Sequence, residues 1–249
     1  MGLDRIEEAA IQAHLDKLRH GHRNDGDGGE AEFREVWKWY ELAEPNHRRS
    51  IREVLLGQIA SGTPRRWGMA LAILAESASP ATAAELEMVA RSLPGRSEVR
   101  DSIIVALARL GHRPALDLCL EGVAAGRHFL GDGCVLLANL VRLDPETGME
   151  AAASHFADQL SSSGSAAQQA ESCSGTVVAV YACVNIGYVP ELVRRTHLRS
   201  PTAGRRLVAS MARWCDMLVP GYSAAASPQL ESVRSLRLEL GRLESDLRT

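Results

Sequence analysis

Five of the ten prolines in this chain directly follow a residue whose side-chain oxygen can cap a helix. These pairs are Thr63-Pro64, Ser79-Pro80, Asp144-Pro145, Ser200-Pro201 and Ser227-Pro228. Proline fits the first position of a helix because its missing N–H would have no partner there, while the preceding oxygen accepts from the free N–H groups that follow. Apolar residues three and four apart fill the segments between these pairs, so the sequence predicts a series of amphipathic helices.

The composition supports this prediction, because alanine and leucine supply most of the apolar residues and only 4% of the 249 residues are aromatic. This mixture favours helix over strand. We therefore predict an all-α fold. The expected helices cover residues 3–20, 30–43, 47–60, 64–78, 81–93, 97–110, 113–125, 132–143, 145–160, 166–187, 189–199, 201–218 and 228–247.

Four segments repeat the same order of an Ala/Leu-rich helix end, a tight turn and a proline that begins a second helix. The prolines are Pro80, Pro114, Pro145 and Pro190. This pattern resembles the HEAT and armadillo-like superfamily of helical repeats, in which antiparallel helix pairs bury their apolar faces by stacking. The resemblance covers residues 30–247 and implies an α-solenoid of about six helix pairs, with a compact α-bundle as the alternative. We expect one repeat domain over 1–249, with a flexible break at 161–175, where serines 161–163 and 165 cluster.

The short motifs of phosphate loops, dinucleotide-binding loops, serine nucleophile elbows and zinc-binding His-Glu-x-x-His helices are missing from the sequence. The glycine-rich segment 20–30 does not match a calcium loop, because Gly29 and Val36 stand where oxygen ligands are needed. His155 and Asp158 lie three apart near Glu150, but no nucleophile can be placed beside them, which favours a surface pair. We predict a protein that is not an enzyme and that uses no cofactor and no metal.

The five cysteines are scattered and form no Cys-x-x-Cys pair, which indicates free thiols in a reducing compartment. The first ten residues carry acidic side chains where a signal peptide needs a basic start. The longest apolar stretch, residues 176–189, is too short to cross a bilayer. We expect a cytoplasmic protein that does not contact a membrane.

Two surfaces are candidates for binding a partner, and the first is aromatic. Phe33, Trp37 and Tyr40 share one face of the predicted helix 30–43, whereas Trp39 lies about 200° from Trp37 at about 100° per residue. Trp39 is either covered by the helix before it or serves as an anchor for a partner, as tryptophan often does in interfaces.

The second surface is a group of arginines in which Glu191 is the only acidic residue from 190 to 215. The arginine cluster consists of Arg194, Arg195, Arg199, Arg205, Arg206 and Arg213. Residues 161–249 hold ten basic and seven acidic residues, whereas residues 1–60 and 61–160 each hold nine basic and twelve acidic residues. Two interpretations stay open: the arginines pair with carboxylates of neighbouring repeats, or they bind an acidic protein or a phosphate backbone.

The repeat alignment also indicates which residues line a groove, because the second helix of each pair faces the concave side in such repeats. The residues seven after each proline are Glu87, Glu121, Ala152 and His197, and those five after are Glu85, Cys119, Glu150 and Arg195. This series runs from acidic to basic. We expect the groove to suit a charged polypeptide, with Glu87, Glu121 and His197 beside the arginine cluster as its contact residues.

Together these features predict a protein-binding scaffold or adaptor, which includes toxin-neutralising immunity proteins. The alternative is a helical-repeat DNA-binding protein or DNA glycosylase, for which Trp67, Arg213, Trp214 and Asp216 are of the right residue types. The last helix carries a leucine seam that either caps the final repeat or makes a homodimer through 228–247. The seam consists of Val233, Leu236, Leu240, Leu243 and Leu247.

Overall fold

The structure, a computed structural model, describes residues 37–38, 40–61, 64–76, 79–95, 97–125, 132–221 and 228–247. All regular structure in these ranges is helical, so the predicted all-α fold is confirmed for the described residues. The predicted helix 3–20 and most of helix 30–43 lie outside them, and so does Trp39. The chain divides into two compact units, residues 1–110 and residues 111–249.

Besides the helical residues 37–38 and 40–42, the described part of the first unit contains four helices. They are α1 (Pro45–Ser61), α2 (Pro64–Glu76), α3 (Pro80–Ser92) and α4 (Glu98–Arg109). Consecutive helices pack on each other as α1 with α2 and α3 with α4, and alternate helices pack as α1 with α3 and α2 with α4. Their shared core is aliphatic and is made by Leu55, Ile59, Ile73, Leu74, Leu86, Ile103, Ile104 and Leu107.

The second unit begins with a 3₁₀ turn at Arg113–Ala115 and continues with seven helices in its described part. They are α5 (Leu116–Ala124), α6 (Asp132–Leu143), α7 (Pro145–Ser161), α8 (Ser165–Val184), α9 (Tyr188–Arg199), α10 (Pro201–Gly221) and α11 (Pro228–Asp246). Its largest fully buried side chains are Leu137, Leu140, Phe156 and Tyr181. Residues 162–164 are not helical and the next helix, α8, begins at Ser165; a flexible break at 161–175 stays a prediction.

Each of the five proline pairs starts a helix at its proline, as the sequence predicts. The described caps also accept the expected hydrogen bonds: Ser79 Oγ from the Thr82 N–H at 3.2 Å, Asp144 Oδ1 from the Thr147 N–H at 2.9 Å. Ser200 Oγ accepts from the Ala203 N–H at 3.3 Å. Local chemistry therefore sets where these helices begin.

Alternate helices of the second unit lie side by side. Helix α6 packs on α8 and α8 on α10, while α7 packs on α9 and α9 contacts α11. Glu146 and Glu150 of α7 pair with Arg195 and Arg199 of α9 in the same order, so these two helices run in the same direction. Consecutive helices, such as α6 and α7 or α9 and α10, also pack on each other.

Two glycines allow consecutive helices to meet closely at one-residue corners. A Cβ on Gly148 of α7 would lie 2.5 Å from the Val141 backbone nitrogen of α6, and a Cβ on Gly204 of α10 would lie 2.6 Å from the His197 Cα of α9. Each glycine stands in the first turn after a proline-started corner. Any larger residue would push the backbones apart, which fixes these two positions as glycine.

Candidate functional surface

Arg195 lies at the centre of an ion-pair network between α7 and α9. Its guanidinium donates to both carboxylate oxygens of Glu146, at 2.6 and 2.9 Å, and its Nε donates to Glu191 at 2.9 Å. The hydrogen bond from Arg195 lowers the pKa of Glu146, and the bonds to Glu146 and then Glu191 raise the pKa of Arg195. This bidentate contact depends on the planar guanidinium group, which lysine lacks.

The flanking arginines of α9 are engaged as well. Arg199 pairs with Glu150 of α7, one helical turn beyond the Arg195 pair. Arg194 lies 3.8 Å from Glu191 and also 3.8 Å from Glu239 of α11, with half of its side chain exposed. The α9 arginines therefore connect this helix to α7 on one side and to α11 on another.

Glu171 of α8 forms ion pairs with two arginines of α10. Arg206 donates to the Glu171 carboxylate at 2.9 Å, and Arg213 lies 3.3 Å from its other oxygen. The Trp214 indole N–H donates to the Glu171 carbonyl at 3.2 Å, and the ring lies against Gly175. Arg206 also donates to the carbonyls at residues 160 and 162, at the end of α7. One carboxylate thus ties α8 to α10 at the point where α7 ends.

Arg205 and His197 differ from the other predicted contact residues. Arg205 is exposed and makes no ion pair with any residue that the structure describes. His197 is half-buried against Gly204. Its Nδ1 is shielded from solvent and has no hydrogen-bond partner within the described ranges.

Of the two interpretations of the arginine cluster, internal pairing accounts for five of its six members within the described residues. The sequence analysis missed Glu146, Glu171 and Glu239 as partners. One signal was available: Glu146 and Glu150 on α7 have the same four-residue spacing as Arg195 and Arg199 on α9, which is what two helices side by side require.

The remaining candidates lie apart from this network. Glu87 belongs to the first unit, where Arg91 pairs with it at 2.8 Å. Glu121 is exposed on α5 of the second unit. The acidic-to-basic groove that joins them to the arginine cluster stays a prediction.

His155 and Asp158 do not share an environment. His155 is only 8% exposed and meets the Phe156 ring edge-on at 5.5 Å, whereas Asp158 points to solvent. Of the residues considered for a DNA glycosylase, Arg213 and Trp214 contact Glu171, and Asp216 pairs with Arg237 at 2.9 Å. The side chain of Trp67 lies outside the described residues.

Three large apolar side chains are exposed on the last three helices. Leu198 of α9 is 83% exposed, Met217 of α10 is 65% exposed and Leu238 of α11 is 68% exposed. Leu238 stands between Arg237, which pairs with Asp216, and Glu239, which contacts Arg194. We use the term terminal-helix surface for the exposed sides of α9, α10 and α11, which carry these three side chains and the two ion pairs.

The leucine seam of α11 is not part of this surface. Val233, Leu236, Leu240 and Leu243 are all at most 7% exposed. Helix α11 packs on α10 and α9, so these side chains are buried within one chain. The seam is thus covered by helices of its own unit, whereas Leu238 on the opposite side of α11 is exposed.

The described residues contain no group of three or more His, Cys, Asp or Glu side chains that could bind a metal ion. None of the described helices is long and apolar enough to cross a membrane. Comparisons of the chain with family models, with curated proteins and with solved structures find no match. The described residues define an all-α protein of packed helices.

Proposed function

We propose that this chain is a non-catalytic scaffold that binds another protein, and that its second unit is a short α-solenoid of stacked helix pairs. The side-by-side contacts of α6, α8 and α10, and of α7, α9 and α11, support the stacking. In a solenoid each helix pair buries its apolar face on the next pair. The buried seam of α11 agrees with a role in closing the final pair.

The terminal-helix surface is the observation that carries the proposed binding function. The exposed side chains of Leu198, Met217 and Leu238 lie on the same three helices as two ion pairs, Arg194–Glu239 and Arg237–Asp216, in which opposite charges neutralise each other. Protein interfaces combine apolar anchors with a polar surround whose charges are matched. A partner that covers this surface gains apolar burial without having to neutralise unpaired charge.

A nucleic-acid partner fits this surface less well. Binding to a phosphate backbone depends on cationic side chains that are free to replace counterions. Among the described members of the arginine cluster, only Arg205 has no carboxylate partner. We therefore propose a protein partner and not DNA.

Capture of partners from native lysate tests the proposal, with the full-length chain as bait at about 50 and about 500 mM salt. The test variant combines Leu198→Asp with Leu238→Asp. The matched control is Leu42→Asp, because Leu42 is 75% exposed but belongs to the first unit. Quantitative mass spectrometry measures which proteins each bait retains.

We expect a partner that is retained at both salt concentrations, reduced at least about tenfold by the double variant and unchanged by the control. Retention of no specific partner at either salt would overturn the proposal, as would equal loss with both variants. Fluorescence anisotropy with a duplex at about 50 mM salt tests the rival function; DNA binding that Arg205→Ala abolishes would favour it instead.

A further inference from the structure

Cys134 and Cys173 bring two free thiols into contact across two packed helices. Cys134 lies on α6 and Cys173 on α8, and these helices pack directly on each other. A hydrogen bond joins the two thiol groups. The contact joins residues that are far apart in the sequence, so it exists only in the folded chain.

The two thiols have different environments. Cys134 is half-buried, whereas Cys173 is only 3% exposed. The hydrogen bond with Cys173 lowers the pKa of Cys134 against the opposing effect of burial. The same hydrogen bond and burial raise the pKa of Cys173. Cys134 is thus suited to be the attacking thiolate, because the thiolate is the reactive form.

The other described cysteines lack this arrangement. Burial raises the pKa of Cys119 to about 12 and that of Cys215 to about 11, so both stay protonated. Cys183 is exposed. It lies about 15 Å beyond Cys173 along α8 at about 1.5 Å per residue, which is too far for a bond between the two sulfurs.

We propose that Cys134 and Cys173 are a redox-active pair that forms a reversible disulfide between α6 and α8 when the protein meets a hydroperoxide. The Cys134 thiolate attacks one peroxide oxygen, the O–O bond breaks, and hydroxide leaves and is protonated to water. The Cys173 thiol then attacks the Cys134 sulfenic sulfur, the S–O bond breaks, and a second water leaves with the Cys173 proton. The two thiols lose two electrons in total, and the peroxide gains them.

Hydrogen peroxide treatment of the purified full-length chain tests the pair. After quenching, free thiols are alkylated and the protein is digested without reduction. We expect a peptide that links Cys134 to Cys173 and that dithiothreitol separates. The melting temperature should rise on the order of 5 °C on oxidation, because the bond restricts the unfolded chain.

Cys173 is buried, so the test does not depend on replacing it. Cys134→Ser should leave Cys173 as a free thiol after peroxide treatment and should remove the rise in melting temperature. Cys183→Ser is the matched control and should form the link as the unmodified chain does. Oxidation of Cys134 only to the sulfinic acid, or disulfides only between molecules through Cys183, would overturn the proposal, and so would the absence of any linked peptide.

Discussion

Guanidinium groups in this protein hold the ends of helices. Arginine accounts for 26 of the 28 basic residues, and three arginines donate to backbone carbonyls in or just after the last turn of a helix. Arg48 donates to the carbonyls of Tyr40, Glu41 and Ala43, Arg100 to those of Ala90 and Gly95, and Arg206 to those of Leu160 and Ser162. Carbonyls in the last turn of a helix have no partner within that helix and carry its negative dipole end. One planar group with several donors satisfies two or three of them at once.

Neighbouring arginines of α10 provide a direct test of this role. Arg206→Ala should lower the free energy of unfolding by about 2 kcal/mol, because it removes charged hydrogen bonds from the end of α7 and from Glu171. Arg205→Ala is the matched control. It should change stability by less than about 0.5 kcal/mol, since Arg205 is exposed and has no ion-pair partner among the described residues.

Urea unfolding followed by circular dichroism measures both arginine variants. Arg206→Lys adds a finer comparison, because lysine keeps the charge but cannot bridge two carbonyls and a carboxylate. It should lie between the alanine variant and the unmodified chain. Equal stability of Arg206→Ala and Arg205→Ala would show that the hydrogen bonds at the end of α7 contribute nothing.

At the scale of the helices, the sequence predicts where most of them begin, because those signals are local. A capping residue followed by proline acts within one turn, and all five such pairs start a helix in the structure. The predicted helix that contains Pro114 is an exception. Residues 113–115 form a 3₁₀ turn before α5, although the sequence predicts one continuous helix over 113–125. No residue in that segment can cap a helix start at its proline.

Pairing between helices could not be predicted in the same way. Arg195 and Glu146 are 49 positions apart, and their contact depends on α7 and α9 lying side by side. The arginine cluster was visible as a run of charge, but most of its partners on other helices, Glu146, Glu150 and Glu171, lie earlier in the chain. Only the matching four-residue spacing on α7 and α9 hinted at them, and spacing of that kind is common on helices.

Helix α11 offers two leucines in opposite environments. Leu240 is fully buried in the seam, whereas Leu238 is 68% exposed on the same helix. Leu240→Ala should lower the free energy of unfolding by about 3 kcal/mol, because it removes buried methyl groups and leaves a cavity. Leu238→Ala should change it by less than about 0.5 kcal/mol.

Thermal unfolding and light scattering together separate the two roles considered for the leucine seam. If the seam only caps the second unit, Leu240→Ala lowers the melting temperature and leaves the oligomeric state unchanged. A dimer that dissociates in Leu240→Ala while the melting temperature stays the same would mean that the seam joins two chains instead.

For the whole molecule, the net charge of −3 conceals an uneven distribution along the chain. The basic excess of residues 161–249 is partly neutralised by ion pairs in the folded second unit. Glu146 and Glu150 of α7 and Glu171 of α8 pair with arginines of α9 and α10. Opposite charges on alternate helices thus help to hold these helices together, and most arginines of the apparent basic patch are paired within the unit.

The second unit has its own core and its own ion-pair network, which leads to a prediction for the fragment 111–249. This fragment should fold by itself, because its buried residues Leu137, Leu140, Phe156 and Tyr181 and the pairs around Arg195 and Glu171 all lie within it. We expect a helical circular dichroism spectrum and one cooperative thermal transition. If Leu240→Ala lowers the free energy of unfolding of the fragment by about 3 kcal/mol, its melting temperature should fall by roughly 5–15 °C. Such a fall would show that the native seam has formed. A non-cooperative transition, or one that Leu240→Ala does not move, would contradict an independently folding unit.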